Sequence, residues 1–317
     1  MHLIHPSAIV ETSDSMMTEF MKIIENAGRT CWKSERQRHE KALKYMLDPE
    51  FQPQSYESHQ AIHCRPQPLT VERLMSPGFV RISREDEAYR QVTTDFIKHL
   101  TKIGHLSVLE HGCITVRIIT DRAVTHQLVR HRIGSYSQES QRYVGQKGHV
   151  TFIIPEGSGL EPGYYRWDDG WHSGMEGEYK THQSLSEILM ETLRPNGFVQ
   201  ASLVDISSWP EQGMPRSWIR AMHYAEKSYH DLLGSGIKKE DARSVLPNAT
   251  KTEIVATYNL SQWRHVLKTR LHPSAQHDIR KIMGMILEQF MSSPVAPLFE
   301  DILKCVTMKK MMELSSK

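Results

Sequence analysis

Between Arg130 and Tyr143 the chain reads R-H-R-I-G-S-Y-S-Q-E-S-Q-R-Y. Arg130, His131, Arg132 and Arg142 stand there beside Ser135, Ser137, Gln138, Ser140 and Gln141. Guanidinium groups are fixed, always-charged forks, and the hydroxyls and amides add small neutral donors. Such a set suits an anionic ligand that carries a polar ring, for example a nucleotide. The same composition fits a solvated basic helix end followed by a serine-rich turn. The surrounding sequence has to decide between the two.

A second group is His105, Glu110 and His111. It resembles an inverted zincin motif with two residues too many after the first histidine. A zinc-dependent hydrolase would use both histidines as ligands and Glu110 as general base. The histidines are six residues apart, a spacing that a helix does not align on one face. His59, His63 and Cys64 could also meet at a metal, but no fourth ligand is evident, and no metal is expected. The four cysteines lie far apart without a C-x-x-C pair, which argues against a zinc ribbon or a disulfide framework and suits a reducing cytoplasm. A nucleic-acid-binding protein working through Arg130 to Arg142 is a third reading. The formal net charge of +2 counts against it, so no nucleic-acid partner is expected. No signal-peptide pattern opens the chain, and no apolar run is long enough for a bilayer, so no membrane partner is expected either.

The elements that must carry these residues follow from hydrophobic spacing. Met1 to Val10 reads as a first strand, and Ser15 to Ala27 as a helix stopped by Gly28. Arg38 to Met46 reads as a helix, and so does Glu87 to Ile103, which Gly104 ends. Cys113 to Thr120 is β-branched and reads as a strand. Asp121 can cap a following helix through Val129, with Gln127 and Arg130 three apart on one face and Arg130 in its last turn. Gly134 breaks that helix, the serine-rich turn follows, and Val150 to Ile154 is a strand. Helices are expected over Gln183 to Thr192, Trp218 to Leu233, Lys239 to Val245, Leu260 to Arg270 and from Ser274 through Phe290, with a strand over Thr250 to Tyr258. The reading is α/β: a small, mostly antiparallel sheet flanked by helices. It is one domain over 1–317, with long insertions at about 35–86 and 156–217.

The basic segment resembles the signature of the flavin-dependent thymidylate synthases: R-H-R, seven residues, then serine, here Arg130-His131-Arg132, Ile133 to Glu139 and Ser140. Gln127 precedes Arg130 by three, as in that family. His105, Ser107 and Glu110 look like its H-x-[ST]-x-x-E element. Arg243 in A-R-S-V-L-P is similar to its A-R-x-x-L-P arginine, and Asn259 to Arg270 to its N-x-x-x-W-R-[NH]-x-x-x-x-R block. Gln138 stands where many members carry glutamate. Ser261 and Ser274 replace a frequent arginine and a frequent histidine.

What the resemblance implies is reductive methylation of dUMP to dTMP by a methyltransferase. Methylenetetrahydrofolate would supply the one-carbon unit, reduced FAD the hydride, and NADPH the reductant. It assigns Arg270 to catalysis. Gln127, Arg130, Ser140, Gln141, Arg142, Arg243 and Arg270 would bind dUMP. Ser107, Arg130, His131, Arg132, Gln138, Asn259 and His265 would bind FAD. It further implies a flavin-dependent thymidylate synthase-like fold in a homotetramer whose subunits share active sites. No dinucleotide-binding G-x-G-x-x-G follows a strand, so FAD would bind between subunits.

Overall fold

The structure, a computed structural model, describes residues 1–51, 84–145, 148–166, 203–205 and 214–315. The group His59, His63 and Cys64 and the helix expected over Gln183 to Thr192 lie outside those residues. The described elements begin with β1 (His2–Ile4), β2 (Ser7–Val10), α1 (Asp14–Trp32), α2 (Glu35–Leu47) and α3 (Arg84–Lys102). A 3-10 helix (Leu106–His111) leads to β3 (Cys113–Asp121), α4 (Arg122–Leu128), β4 (Ser135–Gln138), β5 (Thr151–Ile153), β6 (Gly163–Arg166) and β7 (Leu203–Asp205). Then come α5 (Met214–Gly234), α6 (Lys239–Ala242), β8 (Lys251–Asn259), α7 (Leu260–Arg270), α8 (His277–Met291) and α9 (Glu300–Ser315). The class is α/β, with small sheets flanked by helices. Among the described residues no helix is long and apolar enough to cross a membrane.

The chain packs as two compact bodies. One comprises Met1–Ile9, Val116–Ala256 and Pro273–Met285, the other Val10–Thr115, Thr257–His272 and Ile286–Lys317.

The described strands form two four-stranded sheets, ordered β5-β1-β6-β7 and β2-β3-β8-β4. The stretch expected as one strand over Met1 to Val10 is thus two strands in different sheets. Pro6 separates them, having no N–H to give to a ladder. In the first sheet β1 runs parallel to β5 and antiparallel to β6, and β6 is parallel to β7. Leu3, Phe152 and Tyr165 from that sheet pack with Ile219, Met222 and Tyr229 of α5 in the core of the first body. In β3 the residues Ile114, Val116, Ile118 and Thr120 are buried, and in β8 Thr252, Ile254, Ala256 and Tyr258. The two-residue period is that of strands covered on one face. Ser135 to Gln138, expected as a turn, is the edge strand β4 beside β8. Pairing overrode a local composition that favours turns.

In the second body α1 does not stop at Gly28 but runs to Trp32, and Lys33 ends it with φ of 47°. A Cβ on Gly28 would lie 2.7 Å from Leu100 Cδ1 and 2.9 Å from Phe96 Cε1 on α3. That glycine is a contact point between helices. Gly104 does end α3 as expected, with φ of 82°. Trp263 of α7 is fully buried, with its ring edge-on to Tyr258 and Phe290. Beside it Arg264, 3% exposed, holds both carboxylate oxygens of Asp301 at 2.8 and 2.7 Å.

Burial by itself would raise the Asp301 carboxyl. Hydrogen bonds and charge from Arg264 and Lys268 outweigh it and bring the group down from 3.8 to about 2. A depressed carboxyl stabilises the fold above its unfolded value and loses that contribution as pH falls through the folded one. Asp301→Asn is therefore expected to lower Tm at neutral pH, with the gap to wild type closing between about pH 4 and about pH 2. Thermal scans at stepped pH check this; a gap independent of pH would refute it.

Candidate functional site

At the end of β3 the Asp121 carboxylate accepts the Val124 N–H at 2.7 Å and caps α4, as the sequence suggests. Burial lifts that carboxyl above its ordinary value, and Asp278 adds to the effect. The helix closes early. The Val129 N–H reaches Thr125 O at 3.0 Å and the His131 N–H reaches Leu128 O at 3.1 Å. Arg130 consequently sits in the turn after α4, not in its last helical turn. Arg130 and Arg132 are exposed, and neither forms an ion pair among the described residues. His131 between them is buried.

Gln138, at the end of β4, is held from two directions. Its amide donates to Thr125 Oγ1 on α4 and to Thr252 Oγ1 on β8, each at 3.1 Å. Both threonines are buried. The amide oxygen of Gln138 therefore has a set direction. After it, the Ser140 hydroxyl accepts the Arg142 N–H at 3.3 Å, and the Ser140 carbonyl accepts the Val144 N–H at 2.9 Å. Gln141 Nε2 is buried without a hydrogen-bond partner among the described residues, a donor that an added acceptor would satisfy. Gln127 is engaged differently: its amide donates to Gln276, which in turn donates to Asp278 at 2.9 Å.

Glu240 brings two of the expected arginines together. Its carboxylate lies 3.5 Å from Arg142 Nη2, and its backbone carbonyl accepts Arg243 Nε at 3.0 Å. A further cation joins them. Burial pushes the Arg122 guanidinium below its ordinary value, and the charge of Arg243 adds to the shift. Arg122 has no ion pair among the described residues. Lys239, directly before Glu240, packs against Gly145, its Nζ lying 3.0 Å from the place of a Cβ there. Arg142 and Arg243 on Glu240, with Arg122 under the charge of Arg243, are cations of the kind that hold an anion, and the carboxylates of Glu240 and Asp241 stand beside them. The sequence reading missed Arg122, whose only signal is its place directly after a capping aspartate.

The other expected residues belong to the second body. Ser107 is exposed on the 3-10 helix. Asn259 caps α7, its Oδ1 accepting the Gln262 N–H at 2.7 Å, so the amide nitrogen is the part left to meet a ligand. His265 is exposed on α7, and Arg270, half-buried, is the last residue of that helix. The 3-10 helix and α7 meet where the Leu260 N–H donates to Gly112 O at 2.9 Å. His105, Glu110 and His111 are exposed, and among the described residues no three His, Cys, Asp or Glu side chains gather as metal ligands. The zinc hydrolase reading gains no support.

Residues 15–297 match the model of the family described as thymidylate synthase complementing protein. A flavin-dependent thymidylate synthase of Pyrococcus abyssi is 32% identical over 211 residues, covering 64% of this chain and 66% of the relative. One of Corynebacterium efficiens is 30% identical over 195 residues, covering 61% and 64%. The matched stretch thus spans just under two thirds of these relatives. Among solved structures, a UMP/dUMP methylase, PolB, from Streptomyces cacaoi bound with 5-Br dUMP aligns over 95% of this chain and 97% of its own, with a TM-score of 0.52. Its sequence identity is 19%, so the likeness is one of fold.

The dual position of Asn259 can be separated experimentally. Asn259→Ala removes the cap and is expected to cost about 1 kcal/mol of stability. Asn259→Asp keeps an acceptor at the cap and is expected to keep the wild-type Tm while losing the amide donor. If the wild-type protein takes up flavin, affinity that falls in both variants well below Tm is the expected mark of an amide contact, since Asn259→Ala removes the donor without adding the negative charge of Asn259→Asp. Unchanged affinity in Asn259→Ala would count against any contact there.

Proposed function

The chain belongs to the thymidylate synthase complementing protein family, and on that premise we propose that it is a flavin-dependent thymidylate synthase, converting dUMP to dTMP. The observation that carries the reading is Glu240 held by both Arg142, at 3.5 Å, and Arg243, at 3.0 Å, with the buried Gln141 Nε2 donor directly before Arg142 and Arg122 under the charge of Arg243. A nucleotide phosphate supplies the oxygen acceptors and negative charge that this cluster lacks. Ser140 and Gln127 would complete the dUMP contacts, with Arg130 at the boundary between nucleotide and flavin.

The donor set fits FAD. Arg130 and Arg132 are guanidiniums without ion pairs among the described residues, suited to a diphosphate, and Gln138 presents an oriented amide oxygen. His131, Ser107, Asn259 and His265 would hold the remainder. When bound, reduced FAD supplies the hydride, and methylenetetrahydrofolate is the one-carbon donor. The protein's own contribution is charge. C5 of uracil is a weak nucleophile and becomes a better one in the form whose N3 and O4 carry negative charge, because that charge is delocalised onto C5. Arg270, always protonated, would stabilise the negative charge that develops there. NADPH is the reductant that family membership favours, and a homotetramer with shared sites is the assembly it favours. The scattered cysteines favour a reducing cytoplasm.

Absorption spectra of the purified protein before and after FAD, followed by titration with dUMP, test the reading. Flavin bands that shift on adding dUMP are expected. A protein that takes up no flavin and does not respond to dUMP would overturn it. Arg270→Lys is expected to lower kcat by about 100-fold with a smaller change in KM, since the fork is lost where charge develops. Arg243→Ala is expected to raise the dUMP KM by about 10- to 100-fold, the loss of a charged hydrogen bond. Steady-state kinetics separate the two effects.

A further inference from the structure

Arg130 and Arg132 pose a positioning problem. Their side chains form no ion pair among the described residues, and none of those residues fixes the backbone between them from the side-chain tips. A side chain further along does. The Tyr136 hydroxyl lies 3.0 Å from Leu128 O and is also bonded to His131 O. Leu128 is the last residue of α4, where carbonyls have no helical partner of their own. Its carbonyl already accepts the His131 N–H at 3.1 Å. One phenol proton shared between two carbonyls therefore spans the turn from the helix end to the centre of the R-H-R segment. Tyr136 stands on β4 two residues before Gln138, and the two point to the same, half-buried face of that strand. Gln138 ties that face to Thr125 in α4, and Tyr136 ties it to the turn that follows.

We infer that Tyr136 is a positioning residue for ligand binding: its hydroxyl sets the backbone of Arg130 to Arg132 and so aims both guanidiniums. The role rests on the reading of that segment as flavin- and nucleotide-binding. It needs no contact between Tyr136 and either ligand. Tyrosine serves here because its ring can fill apolar space while its hydroxyl reaches polar backbone.

The test is Tyr136→Phe in the full-length protein, with two readouts. Amide hydrogen exchange over residues 129–133 is expected to quicken in the variant, because the turn loses its far anchor. FAD affinity, followed by fluorescence at a temperature well below Tm, is expected to weaken by about 3- to 10-fold, the worth of one or two neutral hydrogen bonds. The absorption shift that dUMP causes in bound flavin should shrink with it. Unchanged exchange in Tyr136→Phe overturns the inference whatever the ligand data show. Quickened exchange with wild-type FAD affinity makes the bond merely structural and overturns it too. Failure of the functional reading shows itself separately, as a wild-type protein that binds no flavin, and it removes the ligand role of Tyr136 with it.

Discussion

A tryptophan can be fully buried only if its ring finds apolar neighbours and its N–H finds an acceptor. Trp263 meets both conditions, and the arrangement of the second body depends on it. The ring is enclosed by Tyr258 and Phe290, with Phe299 behind Phe290, and the indole N–H donates to Ile114 O at 2.9 Å. Leaving that donor unpaired would cost about 1–3 kcal/mol, so the bond fixes how far α7 can rotate against the strand. Arg264 adds a second restraint on the same helix through Asp301. With the helix axis and rotation both set, Asn259 at its start and His265 and Arg270 along it have little freedom to choose their direction.

The first body faces the opposite difficulty, because its candidate site collects like charges. Arg142 and Arg243 both bond Glu240, and Arg122 lies within the charge of Arg243. Such an arrangement opposes folding unless the scaffold supplies stability elsewhere. The apolar core formed by the first sheet and α5 is available for that, with Leu3, Phe152, Ile219 and Tyr229 buried within it. Positive charge held on a rigid frame is stored attraction for an anion.

Neutral residues do most of the aiming. Thr125 and Thr252 orient Gln138, the Ser140 hydroxyl and carbonyl shape the turn before Arg142, and the Tyr136 hydroxyl spans the turn that carries Arg130 and Arg132. These bonds are short-range and directional, and each restrains a neighbour rather than a ligand. Charged side chains left without ion pairs can then be exposed and still point consistently.

The sequence by itself determined the family and the long elements. R-H-R followed by serine, the A-R-S-V-L-P arginine and the Asn259 to Arg270 block identify the family because their residue types, spacing and order are visible in the chain. The strands β3 and β8 and the helices α5 and α7 were legible because a buried face imposes a period of two or of 3.6 residues. Tertiary structure decided what has no period. Gly28 reads as a helix stop until Phe96 and Leu100 are seen against it. Ser135 to Gln138 reads as a turn until β8 lies beside it. Arg122 acquires meaning only from Arg243, and Tyr136 only from two carbonyls. Composition records which groups are present, whereas a hydrogen bond or a charge contact depends on distance, and distance between remote residues is fixed only when the chain folds.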